Sequence, residues 1–177
     1  MAAMSSPEAH ILSVVEELKR QMPAVKFQAG VRFYWSPKVS LVSYNPNIPN
    51  KAELLCSLFH EVAHAKLQHK TYSTDFELLK LEVLAWEEAK DLATSFGTNI
   101  DEDYIQDCLD TYRDWLHKRS TCPTCGTVGV QCSQREHQCH NCNQPWSVTT
   151  ARFCRPYRRK TMINPDDSAR LVPATFH

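Results

Sequence analysis

The chain has 177 residues, 20 Lys/Arg against 20 Asp/Glu, and eight cysteines, enough for one medium core plus a small metal-stapled module. No run of about 18 apolar residues exists to span a membrane, and Met1 to Pro7 has neither the basic nor the apolar region of a signal peptide. Four of the cysteines stand in knuckle spacing, which suits a reducing cytoplasm better than an oxidising compartment.

Residues 7–21 predict a first helix, with Ile11, Leu12, Val14, Val15 and Leu18 as its apolar face. Residues 25–35 and 38–44, rich in Val, Phe, Tyr and Trp, predict two strands separated by Ser36-Pro37. The edge of such a sheet can receive an extended peptide. Residues 45–50 form a loop into the next helix, with Asn50 as N-cap and Glu53 three residues later, close to a capping box.

That helix carries His60-Glu61-Val62-Ala63-His64, an H-E-x-x-H arrangement. Residues i and i+4 lie one above the other on a helix, so both imidazoles reach one Zn²⁺ at about 2.0–2.1 Å. Glu61 stands about 100° round the helix from His60, beside the metal rather than on it, where it can take a proton from the attacking water. Leu54, Leu55, Leu58, Phe59, Val62 and Leu67 surround the motif. Buried imidazoles and a carboxylate are costly without partners, and a metal supplies one. The bland alternative is two surface histidines on an ordinary helix.

A catalytic zinc site needs a third protein ligand and leaves one position open. His69, Asp75, Glu77 and Glu82 are the candidates. A helix expected from near Asp75 to about Phe96 sets Glu82 in an apolar stripe with Leu78, Ala85, Trp86, Ala89 and Ala93, while Glu77, Glu87, Glu88 and Asp91 fall on the polar face. A carboxylate in such a stripe requires a partner, so Glu82 is the third ligand, with a buried salt bridge as the alternative. His69, five residues past His64, turns away from the metal face of a continuing helix and ranks second.

Gly97 marks a C-cap. A helix then follows over 102–118, with Ile105, Cys108, Leu109, Tyr112, Trp115 and Leu116 as its core stripe. Cys122-Pro-Thr-Cys125-Gly and Cys139-His-Asn-Cys142, separated by thirteen residues, predict a zinc ribbon over 120–150 in which four thiolates close a tetrahedron around a structural Zn²⁺. A disulfide-stapled loop is the alternative. Cys132, His137 and His140 break the knuckle spacing, and Cys56, Cys108 and Cys154 are scattered. Between Lys118 and Lys160 stand eight Lys/Arg and one acid, Glu136, a local charge of +7 against −7 elsewhere. With Phe153 and Tyr157 interleaved among Arg152, Arg155, Arg158, Arg159 and Lys160, this segment is a candidate nucleic-acid contact; a solvated or docked basic tail is the alternative.

The helix-borne HEVAH, followed after a gap by Glu82-Val-Leu-Ala85-Trp86 with Ala89 and Leu92-Ala93, resembles the ImmA/IrrE family of small gluzincin-type metallopeptidases over about residues 8–118. The resemblance implies His60, His64 and Glu82 as zinc ligands, Glu61 as general base, and intracellular cleavage of a regulatory protein such as a transcriptional repressor. The ribbon lies outside that family pattern. The expected architecture is α+β: a metallopeptidase core of helices with a short sheet beside the HExxH helix (7–119), a four-cysteine zinc ribbon (120–150), and a basic segment and tail (151–177). HEVAH with a trailing ribbon is also similar to SprT-like proteases that act on DNA-associated proteins, although their later histidine-rich segment is missing here. A third reading is a catalytically weak metalloprotein that binds nucleic acid or protein.

Overall fold

The computed structural model describes residues 7–150 and 158–161, with side chains from Ile11 onward. The chain is α+β. The described residues form four helices, α1 (Pro7–Gln21), α2 (Lys51–Lys66), α3 (Asp75–Ser95) and α4 (Glu102–Ser120), and seven strands, β1 (Lys26–Ala29), β2 (Tyr34–Ser36), β3 (Leu41–Tyr44), β4 (Val130–Ser133), β5 (Glu136–Gln138), β6 (Pro145–Val148) and β7 (Arg158–Lys160). Among the described residues no helix is long and apolar enough to cross a membrane. Two compact units divide the chain, one made of residues up to Tyr72 together with Leu78–Leu109, the other of Ser73–Glu77 and the residues from Asp110 onward.

In the first unit Ile11, Val14, Val15 and Leu18 of α1 are buried, as the periodicity requires, but Leu12 is half exposed. Its sheet has the order β1-β3-β2, with β1 parallel and β2 antiparallel to β3. The single strand expected over 25–35 is therefore two. Gly30 N–H still donates to Tyr44 O at 2.8 Å; Val31 to Phe33 then leave the ladder, and side chains at the end of β3 hold this detour: Ser43 Oγ donates to the Arg32 carbonyl at 2.8 Å and Asn45 Nδ2 to the Val31 carbonyl at 3.3 Å. Polar anchors of this kind leave no trace in a period-two pattern.

Asn50 caps α2, its Oδ1 accepting from the backbone N–H groups of Ala52 and Glu53 at 3.1 and 3.4 Å. Leu54, Leu55, Leu58, Phe59 and Val62 are buried around it, together with Leu78, Ala85, Trp86, Ala89, Leu92 and Ala93 of α3. Leu67, expected in the same shell, is partly exposed because α2 ends beneath it. Gly97, at φ +69°, closes α3 as predicted: Thr98 N–H donates to Ala93 O at 3.0 Å and Gly97 N–H to Thr94 O at 3.0 Å, a Schellman motif.

The second unit carries a four-stranded sheet of order β4-β5-β6-β7. Its apolar core is small, formed by Cys122, Cys139, Trp146 and Val148 with Cys142 against them. Strand β7 pairs antiparallel with β6, Lys160 facing Trp146. The basic segment thus contributes a strand with no apolar signal in the sequence. Arg152, Phe153, Cys154, Arg155 and Tyr157 lie outside the described residues.

Candidate metal centre

Among the described residues two donor clusters form, one in each unit. In the first, helices α2 and α3 bring His60 Nε2 to 3.1 Å from Glu82 Oε2, His64 Nε2 to 3.2 Å from His60 Nε2, and His64 Nε2 to 3.6 Å from Glu82 Oε2. Donors about 2.0–2.1 Å from a tetrahedral ion stand about 3.3 Å from one another, so the triangle has the dimensions of three of the four positions of a tetrahedral coordination sphere. Glu82 is 6% exposed. Burial alone would raise its carboxyl, but hydrogen bonds from His60 and His64 outweigh that and hold it down at about 2, so the group is an anion ready to ligate at neutral pH.

The two imidazoles are set differently. His60 stacks on Trp86, ring centroids 4.1 Å apart at 27°, and its Nδ1 has no hydrogen-bond partner among the described residues. The Nδ1 of His64 lies 2.8 Å from the Nδ1 of His69. Burial, then the charge at His64, hold His69 below the ordinary imidazole range.

His69 is thus behind a donor rather than in the donor set, and the reason is local. Helix α2 stops at Lys66, Leu67 is the C-cap, and Gln68 adopts φ +55°. Gln68 N–H donates to Ala65 O at 3.1 Å and His69 N–H to His64 O at 3.0 Å, the two bonds of a Schellman motif. The chain therefore turns back over its own last turn, and the wheel of a continuing helix does not describe His69. Of the other third-ligand candidates, Asp75 pairs with Arg119, and Glu77 accepts from the Ser73 N–H and hydroxyl at 2.7 Å.

Glu61 follows His60 on α2 and is half buried. Its Oε2 accepts from the backbone N–H of Trp35 at 2.7 Å, and the Trp35 indole N–H donates to the His69 carbonyl at 2.8 Å. Sequence reasoning passed over Trp35, since an aromatic residue in a strand is ordinary core material.

In the second unit Cys122 Sγ lies 3.6 Å from Cys142 Sγ, and Cys125 Sγ 3.5 Å from Cys139 Sγ. All four sulfurs lie within 4.8 Å of one another, and sulfur donors about 2.3 Å from a tetrahedral ion stand about 3.8 Å apart. The cluster fits a zinc ribbon. Gly126, at φ +76°, makes the first knuckle turn, its N–H donating to Cys122 O at 3.1 Å. The Thr127 hydroxyl and backbone N–H hold the Cys125 thiol down at about 5. Cys142 accepts from the Gln144 N–H, which favours its thiolate, yet burial and the neighbouring sulfurs push it up to about 12. Four sulfurs this close ionise together only against a counter-charge, which a divalent cation supplies. Cys132 and His140 are exposed, while His137 is buried, stacked on Trp146 with ring centroids 5.5 Å apart. None of the three joins the cluster.

Comparison of the chain with protein-family models, with curated proteins and with solved structures gave no match.

Proposed function

We propose that the chain is an intracellular zinc-dependent endopeptidase of ImmA/IrrE type, with a regulatory protein such as a transcriptional repressor as substrate and a structural zinc in its ribbon. One observation carries this reading: His60, His64 and Glu82 converge at ligand-to-ligand distances with Glu61 adjacent on the same helix. Two imidazoles and one carboxylate make an open donor set, the catalytic kind, whereas four thiolates make a closed one. Zinc in the open set would supply Lewis acidity and lower the pKa of water.

The protein's own groups do the rest. Glu82, ionised by its two imidazole partners, supplies the negative charge that keeps a dication in the site. Glu61 accepts the proton of the attacking water and returns it to the leaving amine. Its carboxylate is held for this by the Trp35 N–H. A carboxylate third ligand on a long helix favours this reading over a SprT-like protease. The exposed Arg158, Arg159 and Lys160 on β7 leave nucleic-acid contact by the ribbon as an accessory role.

Glu61→Gln tests the reading. The amide keeps the shape but cannot accept the proton, so cleavage of an unfolded protein such as casein should fall by about 10²–10⁴ with two zinc ions per chain retained. Undiminished cleavage by the variant would remove Glu61 from the chemistry.

A further inference from the structure

We propose that Trp35 and His69 are positioning residues of the metal centre: His69 sets the tautomer and ring plane of His64, and Trp35 ties His69 to Glu61. The Glu61 half rests on the peptidase reading; the His64 half rests only on metal binding.

His64 turns Nε2 towards His60 and Glu82 and Nδ1 towards His69. With the Nε2 lone pair committed to an ion, the His64 proton must sit on Nδ1. His69 Nδ1 is then the acceptor, and the proton of His69 lies on Nε2. A fixed partner on the far nitrogen orients a ligand imidazole and raises its basicity. The usual partner is a carboxylate, a carbonyl or water; here it is a second imidazole. His60 has no such partner among the described residues and leans on Trp86, so hydrogen-bonded control of ligand geometry rests on His64.

The brace is anchored at both ends. The His69 N–H is taken by His64 O through the Schellman motif, and the His69 carbonyl by the Trp35 indole. Trp35 lies on β2, which among the described residues is an edge strand paired with β3 alone, and there it faces Val42. The outward N–H of an edge strand ordinarily meets water. Here it donates to Glu61 at 2.7 Å. Both donors of one residue are therefore spent on the site, one on the base and one on the support of a ligand. An indole with two rotatable bonds loses little freedom in that role.

The test uses the full chain, zinc alone as probe, and competition with a chromophoric chelator. His69→Leu should weaken the weaker of the two zinc sites by about 10–100-fold and leave the ribbon site unchanged. In His69→Asn the amide oxygen can accept from His64 Nδ1–H, so affinity should return to within a few-fold of the parent. The visible spectrum of Co²⁺ in that site should shift in His69→Leu and recover in His69→Asn. Trp35→Phe, which keeps an aromatic ring and loses the indole donor, should weaken zinc in the same direction by a smaller factor. Equal zinc affinity in His69→Leu and parent would overturn the proposal, and so would a failure of His69→Asn to recover. Should the affinities follow this pattern while the parent cleaves no protein, the brace stands and the peptidase reading falls.

Discussion

Gln68 stands where helices that end in a left-handed residue usually place glycine. At φ +55° an L side chain crowds its own carbonyl, at a cost of roughly 1–2 kcal/mol, and the Schellman hydrogen bonds hold it there. Gln68→Gly should raise stability by roughly 0.5–1 kcal/mol, after the glycine's greater chain entropy is set against the relieved strain. Gln68→Val should lower stability and weaken zinc together, because His69 loses its seat. Thermal melting with zinc titration reads both. Glu82 gives a second residue-level expectation. Glu82→Gln removes the only negative donor of its cluster and should cost that site its metal, whereas Glu87→Gln, on the exposed face, should leave both metals in place. Metal analysis after dialysis distinguishes this from a structural salt bridge, for which zinc content would not change. Glu82 was legible in the sequence because a carboxylate in an apolar stripe has few explanations. His69 ranks below Glu82 as a ligand in the sequence and stays outside the donor set, but its place behind His64 was not legible because no glycine announces the end of α2.

Among the elements, the first turn of α3 depends most on distant parts of the chain. Asp75 Oδ1 pairs with Arg119 Nη1 at 3.3 Å, and the Asp75 N–H donates to Gln131 Oε1 at 2.8 Å. His137 Nε2 faces the other carboxylate oxygen at 3.6 Å. Arg119, 1% exposed, lies over the Trp115 ring at 4.4 Å and donates to the Gln134 carbonyl at 2.9 Å. Removing one partner of a buried ion pair costs about 3–5 kcal/mol because the other charge is stranded, whereas removing both costs less. Arg119→Met should therefore destabilise the zinc-loaded chain more than the Asp75→Asn/Arg119→Met pair does. A double-mutant cycle in denaturant would show it, and additive effects would mean that the pair is energetically silent. This network was invisible in the sequence. It joins positions 75, 119, 131 and 137, which no periodicity relates, and Asp75 reads in the sequence as a helix start and a spare ligand. Helices α1 to α4 were legible because each has an apolar face, and the start of α2 at Asn50 and the end of α3 at Gly97 carry recognisable caps, whereas the end of α2 does not. The first strand run was not, since its break rests on Ser43 and Asn45 side chains.

At the scale of the molecule, two donor sets of different character predict two metals with different fates. The open set of His60, His64 and Glu82 lies among residues with a large apolar core of their own, so its metal is not needed to fold them. Among the described residues the ribbon has four buried apolar residues, two of them cysteines, too few to hold a sheet without an ion. Graded treatment with a chelator should release one zinc with helical content intact, then the second with collapse of β4 to β6. Amide exchange read alongside zinc release checks the order; simultaneous release, or early exchange in α2, would contradict it.

The second unit is discontinuous in sequence, since Ser73–Glu77 belongs with residues from Asp110 onward. That has a consequence for inheritance. A ribbon that follows a helical core in sequence looks like a cassette that recombination could append or discard with one join. Here a single cut before Asp110 would carry Arg119 and His137 away from Asp75, and Gln131 away from the backbone it caps. A host would receive a module with a stranded charge, and the donor would keep a helix start without its cap. Ribbon and helix are therefore expected to be gained, lost and exchanged together, as one unit of descent.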